Sequence, residues 1–411
     1  MKKTIKLAVV AALALGATSA FATNGDVMIG QGAKSRSMGG VGIAKAFGAE
    51  SALANPANIS SVKDSEATLA VTVFMPSVSF TSDLATTPGS VADSASNLSV
   101  IPEIYYAKRL SDKLVLGLAI AGTAGMGVDY DADGSATGST SGTFRMKTAL
   151  SLLKVAVPVS YTVGGLTVGL EGVLQYGSLQ ISHQAQGAPN GFRDNGASSD
   201  IGYGLEAGAT YTTDGLTLGA VYKSKIGMTY ENTISASIGD FGQTNNITSG
   251  DNLDQPAEIG IGISYTMGES TISADFKNIA WGEAAGYKDF GWENQDVYAI
   301  GYEYDAKAWA VRLGYNYAQS PIVEQAITGN GEGSTKNFFN LAGFPGIVET
   351  HYTLGGAYSV SEALTLDAAF IYVPETTNTY NVSELNQQPT AEFATVKHSQ
   401  MGVTIAGTYA F

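Results

Sequence analysis

The chain has 411 residues, no cysteine, 50 glycines and a formal net charge of −15. Without cysteine there can be no disulfide framework, zinc ribbon or thiol nucleophile, and the acidic balance argues against a nucleic-acid partner, which needs a cationic surface. Charged residues make up 14% against about 25% in typical soluble proteins, and abundant glycine with 21 tyrosines suits closely packed strands better than helices.

Residues 1–22 read as a secretory leader. Lys2, Lys3 and Lys6 precede an apolar run from Leu7 to Ala17, and Ala20-Phe21-Ala22 supplies the small-x-small cleavage pattern. That run is too short to cross a bilayer as a helix, and no later stretch is longer. Residues 23–65 then form a non-alternating, Gly- and Ala-rich segment that carries apolar residues such as Val27, Ile29, Val41, Phe47 and Leu53. Such apolar content argues against a disordered tail. The segment is expected to plug whatever the rest of the chain encloses.

From residue 66 to 411 the dominant signal is alternation. At the C-terminus Met401, Val403, Ile405, Gly407, Tyr409 and Phe411 share one face, with Gln400, Thr404 and Thr408 on the other. Ile259, Ile261, Ile263 and Tyr265 repeat the pattern, as do Trp309, Val311, Leu313, Tyr315 and Tyr317. Strands are expected near 66–80, 99–110, 112–124, 143–162, 164–182, 202–213 and 215–230. Seven more are expected near 256–267, 269–280, 296–305, 307–319, 349–360, 362–373 and 399–411. Tight turns such as Gly164-Gly165, Asp214-Gly215 and Gly268-Glu269 alternate with long polar connections. Short turns on one side, long loops on the other and an even strand count predict a 14-stranded antiparallel transmembrane β-barrel rather than a soluble sandwich. Tyrosines toward the strand ends, among them Tyr302, Tyr304, Tyr358 and Tyr372, fit interfacial girdles. The expected location is a bacterial outer membrane, with the barrel a monomer in contact with its lipid.

Several motifs then resemble one family in order along the chain. Gly32-Ala33-Lys34-Ser35-Arg36-Ser37-Met38-Gly39-Gly40 and Asn55-Pro56-Ala57 are similar to the N-terminal hatch of the FadL/TodX outer-membrane channels. Ile101-Pro102-Glu103-Ile104-Tyr105-Tyr106, Tyr222-Lys223-Ser224-Lys225-Ile226, Leu253-Asp254-Gln255-Pro256, Gly291-Trp292 and Arg312-Leu313-Gly314-Tyr315 continue the likeness. The resemblance implies passive, hatch-gated passage of long-chain fatty acids or other hydrophobic molecules, with sideways release through a kinked third strand and no cofactor or metal. On that likeness Asn55, Pro56 and Ala57 anchor or hinge the hatch, and Gly122, Gly125 and Gly127 mark the kink. Glycine suits such a bend because it weakens a ladder.

Arg312 and Lys277 lie on polar strand faces. Each could meet a carboxylate head group or pair with lumenal acids such as Glu258, Asp275 or Glu171. Phe338, Phe339 and Phe344 in the loop 319–349 could collect apolar ligands or fold that loop onto the rim. The family's basic residue before Asp296 is not evident, and the third outer loop, 183–201, is short. Fatty acid and neutral hydrocarbon therefore both stand as substrates. With only His183, His351 and His398 and no paired nucleophile pattern, no enzyme is expected. The remaining alternative is a general diffusion porin for small polar solutes, which the 23–65 segment would obstruct.

Overall fold

A computed structural model describes residues 23–84, 89–130, 145–184, 192–240, 248–385 and 391–411. The expected leader at 1–22 lies outside them, as do residues 143–144 and 185–191 of an expected strand and loop. Fourteen strands form the wall: β1 (Ser65–Ser82), β2 (Ser99–Arg109), β3 (Leu114–Asp129), β4 (Met146–Val163), β5 (Leu166–Gln184), β6 (Phe192–Thr213) and β7 (Leu216–Lys223). They continue as β8 (Glu258–Met267), β9 (Ser270–Ile279), β10 (Gln295–Asp305), β11 (Trp309–Ala318), β12 (Thr350–Ser359), β13 (Leu364–Asn381) and β14 (Phe393–Ala410). Every neighbouring pair is antiparallel, and β14 pairs with β1 from Ala394↔Ser82 to Ala410↔Glu66. The sheet thus closes and leaves no edge.

Alternation decides which way the side chains face. Leu69, Leu170, Ile261 and Tyr358 are each more than 60% exposed on the outer wall, while Thr68, Glu171, Ser264 and Asp275 are buried in the lumen. An apolar belt of this extent would be untenable in water and is the natural surface against lipid. The periplasmic turns are tight: Asp214 and Gly215 both have positive φ, 45° and 82°, which is the backbone a two-residue hairpin turn demands.

Strand heights are unequal. β8, β9, β11 and β12 have 10 residues each, about one membrane crossing, whereas β1, β4, β13 and β14 have 18 and β6 has 22. Loops from the short arc fold inward and across the mouth. They carry two helices, α2 (Ile234–Asp240) and α3 (Glu332–Gly343). Helix α3 packs against β13 and β14, reaches β3 and β4, and sets Phe338 edge-on to Phe80 of β1 at 5.7 Å. It therefore crosses the seam where the barrel closes.

Residues 23–62 fill the lumen. They include helix α1 (Gly32–Ser37) and a 3-10 turn at Pro56–Ser61, and most of their side chains are buried. Inward-facing wall glycines make room for their backbone. A Cβ on Gly314 would lie 2.0 Å from the amide nitrogen of Gly39, and one on Gly219 would lie 2.3 Å from the carbonyl oxygen of Ile43. The high glycine content is thus the cost of threading a chain through a closed barrel.

Candidate functional site

A backbone enclosed in a barrel has no water to satisfy it, so the wall must supply partners. Asp275 accepts from the amides of Gly42 and Ile43 at 2.7 and 2.9 Å, Thr353 accepts from Gly39 at 2.9 Å, and Asn316 donates to the Gly39 carbonyl at 3.0 Å. Arg36, fully buried, pairs with Glu103 and donates to Thr72 at 2.7 Å. Lys34 and Lys45 reach Glu50 and Glu303 at 2.9 and 2.7 Å.

Asn55, Pro56 and Ala57 belong to this anchoring. The Asn55 side chain caps the 3-10 turn by accepting from Ala57 N at 3.0 Å, and it donates to the Ile43 carbonyl at 2.7 Å. Proline at the first position of that turn forfeits no hydrogen bond. The three residues press against Gly169 and Gly208, where a Cβ would collide with them.

Above the segment, near the outer mouth, lies a tight apolar cavity of about 20 Å³, whose side chains must part to admit a ligand. The wall contributes Met126, Leu150, Leu179 and Ile181; the inward-folded loops contribute Ile234, Leu253, Tyr287, Phe290, Trp292 and Phe344. Trp281, Tyr287 and Trp292 form an aromatic cluster with centroids 4.6–5.2 Å apart. Among the described lining residues there is no Lys, Arg or His. The polar groups there are already engaged: Asn340 accepts from Trp292 Nε1 at 3.0 Å and donates to the Phe290 carbonyl at 2.9 Å.

Against this aromatic cluster lies the N-terminal hairpin, in which Thr23 pairs with Met28 and Asn24 with Val27. Gly25, at φ 66°, lies directly beneath the two indoles; a Cβ there would sit 2.7 Å from Trp281. Asp26 accepts from the Tyr287 hydroxyl and, at 3.1 Å, from Gln255. Burial pushes its carboxyl up to about 6 despite those two hydrogen bonds, and burial raises the Tyr287 hydroxyl too.

The same hairpin meets a break in the wall. The β2–β3 ladder runs from Arg109↔Val115 to Glu103↔Ala121 and stops, although both strands continue. There the β3–β4 register slips between Gly122 and Ala124, a bulge centred on Thr123. From Ala121 to Val128 every residue is buried, so alternation between lipid and lumen is lost. Val27 of the hairpin takes the missing strand's place opposite Ala124, and the Asp26 carbonyl accepts from Gly125 N at 3.0 Å. Gly122, Gly125 and Gly127 flank this bulge. Gly122 faces Ile101, and a Cβ on Gly127 would lie 2.3 Å from the Thr148 carbonyl.

The other candidates lie elsewhere. Arg312 is held by Glu303 and Asp367, both at 2.7 Å, beside the N-terminal segment. Lys277 lines a separate cavity of about 40 Å³ beside the N-terminal segment, with Lys223, Glu258 and Asp275. A neighbouring cavity of about 40 Å³ adds Lys154 and Gln255. Lys154 pairs with Glu206 at 3.0 Å and Lys223 with Glu258 at 3.1 Å. Phe338 and Phe339 are buried in α3, the latter stacked on Phe290 at 5.2 Å, while Phe344 reaches the apolar cavity. Sequence reasoning missed Met126, Leu150, Leu179 and Ile181. Their signal is that the inward faces of β3, β4 and β5 turn apolar toward the outer end, where a water-filled lumen would be polar.

The family model described as "Outer membrane protein transport protein (OMPP1/FadL/TodX)" matches residues 8–411. Among solved structures, a Pseudomonas aeruginosa FadL homologue is similar at TM-score 0.68 and 16% identity, over 94% of this chain and 100% of that one. The Pseudomonas putida toluene transporter TodX is similar at 0.65 and 19%, over 95% and 100%. The Ralstonia pickettii toluene transporter TbuX is similar at 0.62 and 18%, over 93% and 98%. No curated protein matches the chain in sequence.

Proposed function

The chain belongs to the FadL/TodX family of outer-membrane transporters of hydrophobic compounds, and we propose that this member carries neutral hydrophobic molecules through a cavity gated by its N-terminal segment. The observation that carries this reading is the cavity itself. It is largely apolar, lined by aromatic rings, without a cation among its described lining residues, and its Trp292 rests on the hairpin that also fills the wall break. A carboxylate placed there would lose its hydration without gaining a partner. A compact hydrocarbon gains contact on every side.

In this reading the ligand enters between the outer loops and rests above Gly25. Withdrawal of the hairpin then leaves the gap between β2 and β3 unfilled, and the ligand passes sideways toward lipid. Asn55, Pro56 and Ala57 hold the base of the hatch while its tip moves. Gly122, Gly125 and Gly127 keep the bent strand narrow enough for the opening to form. Transport needs no cofactor, because partition from water into hydrocarbon is downhill.

The test is uptake into cells that lack other hydrophobic channels, comparing a neutral monoaromatic probe with a long-chain carboxylate. Saturable uptake of the neutral probe alone is the expected result. Preference for the carboxylate would overturn the choice of substrate, and large steady conductance to small ions would favour the porin.

A further inference from the structure

The cavity wall already holds one phenol in a defined pose. The ring of Tyr287 lines the apolar cavity beside Trp281 and Trp292, and its hydroxyl donates to Oδ2 of Asp26. Gln255 donates to the same oxygen at 3.1 Å. Oδ1, the other oxygen, is buried and has no hydrogen-bond partner. A second buried group is also unmatched. The Tyr230 hydroxyl has no partner, its residue is 0% exposed, and it lies close enough for the Asp26 charge to act on it. We propose that Asp26 Oδ1 and the Tyr230 hydroxyl form a polar subsite beside the cavity, and that the substrates it selects are neutral phenols and aromatic alcohols rather than plain hydrocarbons.

The two atoms match opposite halves of a hydroxyl. Asp26 Oδ1 lacks a donor. Burial, together with the Asp26 charge, pushes the Tyr230 hydroxyl up, so it keeps its proton and lacks an acceptor. A single O–H group donates to the first and accepts from the second. An amine supplies donors but a poor acceptor, and a carboxylate is repelled by Asp26. A hydrocarbon leaves both atoms unmatched, which is costly in a dry site. Tyr230 packs against Gly177, where a Cβ would meet its hydroxyl, and Leu179, two residues along the same inward face, lines the cavity. Tyr287 shows the span, because its one ring reaches from the cavity to the Asp26 carboxyl. A phenol whose ring parts Leu150, Phe290 and Trp292 repeats that pose on Oδ1.

This inference rests on the transport reading, and equilibrium binding separates their failures because it needs no transport. The purified protein in detergent is titrated by calorimetry at pH 7 with p-cresol, p-xylene and p-methylanisole, each against the same micelles without protein. The cresol is then neutral, since phenols titrate at about 10, and Asp26, raised to about 6, is mostly ionised. p-Cresol should bind roughly tenfold or more tighter than either probe that lacks a hydroxyl proton, the effect of one hydrogen bond to a charged group. Tyr230→Phe and Asp26→Asn should each weaken p-cresol several-fold and leave p-xylene unchanged. Equal affinity for the three probes in the parent, or a p-cresol preference that survives both substitutions, would overturn the subsite; buried water would then be what satisfies the two atoms. If Tyr230→Phe does not form a heat-modifiable barrel, the three probes in the parent and in Asp26→Asn decide. Absence of uptake of every neutral probe by cells would sink the transport reading while the binding preference still stood.

Discussion

Removal of Glu103 should undock the N-terminal segment. Its carboxylate pairs with Arg36, and the other oxygen accepts from Gly32 N at 3.0 Å and the Tyr105 hydroxyl at 3.2 Å. Arg36 is 0% exposed, and its further hydrogen-bond partners are the hydroxyls of Thr72 and Thr404 and the Met28 sulfur, none of which neutralises it. Glu103→Ala therefore strands a guanidinium in the lumen, a loss of about 3–5 kcal/mol. Escape into water is possible by undocking, so the docked state bears the penalty and the undocked state does not. The undocked fraction should rise roughly 10²- to 10⁴-fold. A reporter cysteine at Ser37, itself 0% exposed, would register it as faster labelling by a thiol reagent. Arg36→Met combined with Glu103→Leu removes both charges at similar volume and should recover most of the loss, because a buried ion pair is costly to halve but not to replace. Unchanged labelling in Glu103→Ala with an intact barrel would refute the reasoning. So would a double variant that loses as much as the two single ones added together.

Other expectations follow from the same geometry. Asp26 has its carboxyl raised to about 6 from 3.8 by burial, so the docked hairpin binds a proton more tightly than the released one. Docking is then strongest below about pH 4 and weakens as pH rises through 6, by up to about 3 kcal/mol; fluorescence of the indoles packed on Gly25, followed from pH 4 to 8, should report the release, and Asp26→Asn should flatten the curve. Gly127→Ala drives a Cβ into the Thr148 carbonyl and should impair hydrocarbon uptake, whereas Gly122→Ala meets a side-chain methyl, Cγ2 of Ile101, and should impair it less; equal effects of the two would contradict this. Leu179→Phe fills part of the cavity and should shift preference toward smaller hydrocarbons in a competition assay. Lys277→Met should leave uptake of a neutral probe unchanged, and a clear loss would point to head-group recognition beside the N-terminal segment.

The wall was legible because lipid imposes a period of two on any strand that crosses it. That constraint ends with the membrane, which explains where the expectations stopped short. The expected strand at 202–213 begins at Phe192, because Arg193 to Asp200 stands above the lipid and is polar on both faces. The expected strand at 215–230 ends at Lys223. Ile226, Met228 and Tyr230 do alternate, but they point inward onto Gly177, Gly202 and Gly204, and alternation alone cannot distinguish inside from outside. The same ambiguity hid the cavity, since Leu150 and Leu179 are as apolar as any lipid-facing residue. Arg312 shows the converse. Its inward direction was readable, and Glu303 lies directly across the β10–β11 hairpin, but Asp367 comes from β13, two strands away, which no local pattern shows. Gly122, Gly125 and Gly127 lie at the break in the wall; that the hairpin at Val27 fills it was not legible, because two residues of pairing carry no periodicity.

The helix over the seam bears on how such a molecule comes into being. Strands β1 and β14 lie at opposite ends of the barrel sequence, so their pairing closes a loop of more than three hundred residues and carries the largest entropic cost of any contact in the wall. Helix α3 sits across that junction with Phe338 against Phe80, and the chain just beyond it brings Phe344 to the cavity. Assembly of the binding chamber is therefore contingent on completion of the cylinder: an unclosed intermediate has the rings but no roof. Ligand retention becomes a sensor of biogenesis, able to distinguish a finished barrel from one still open along its side.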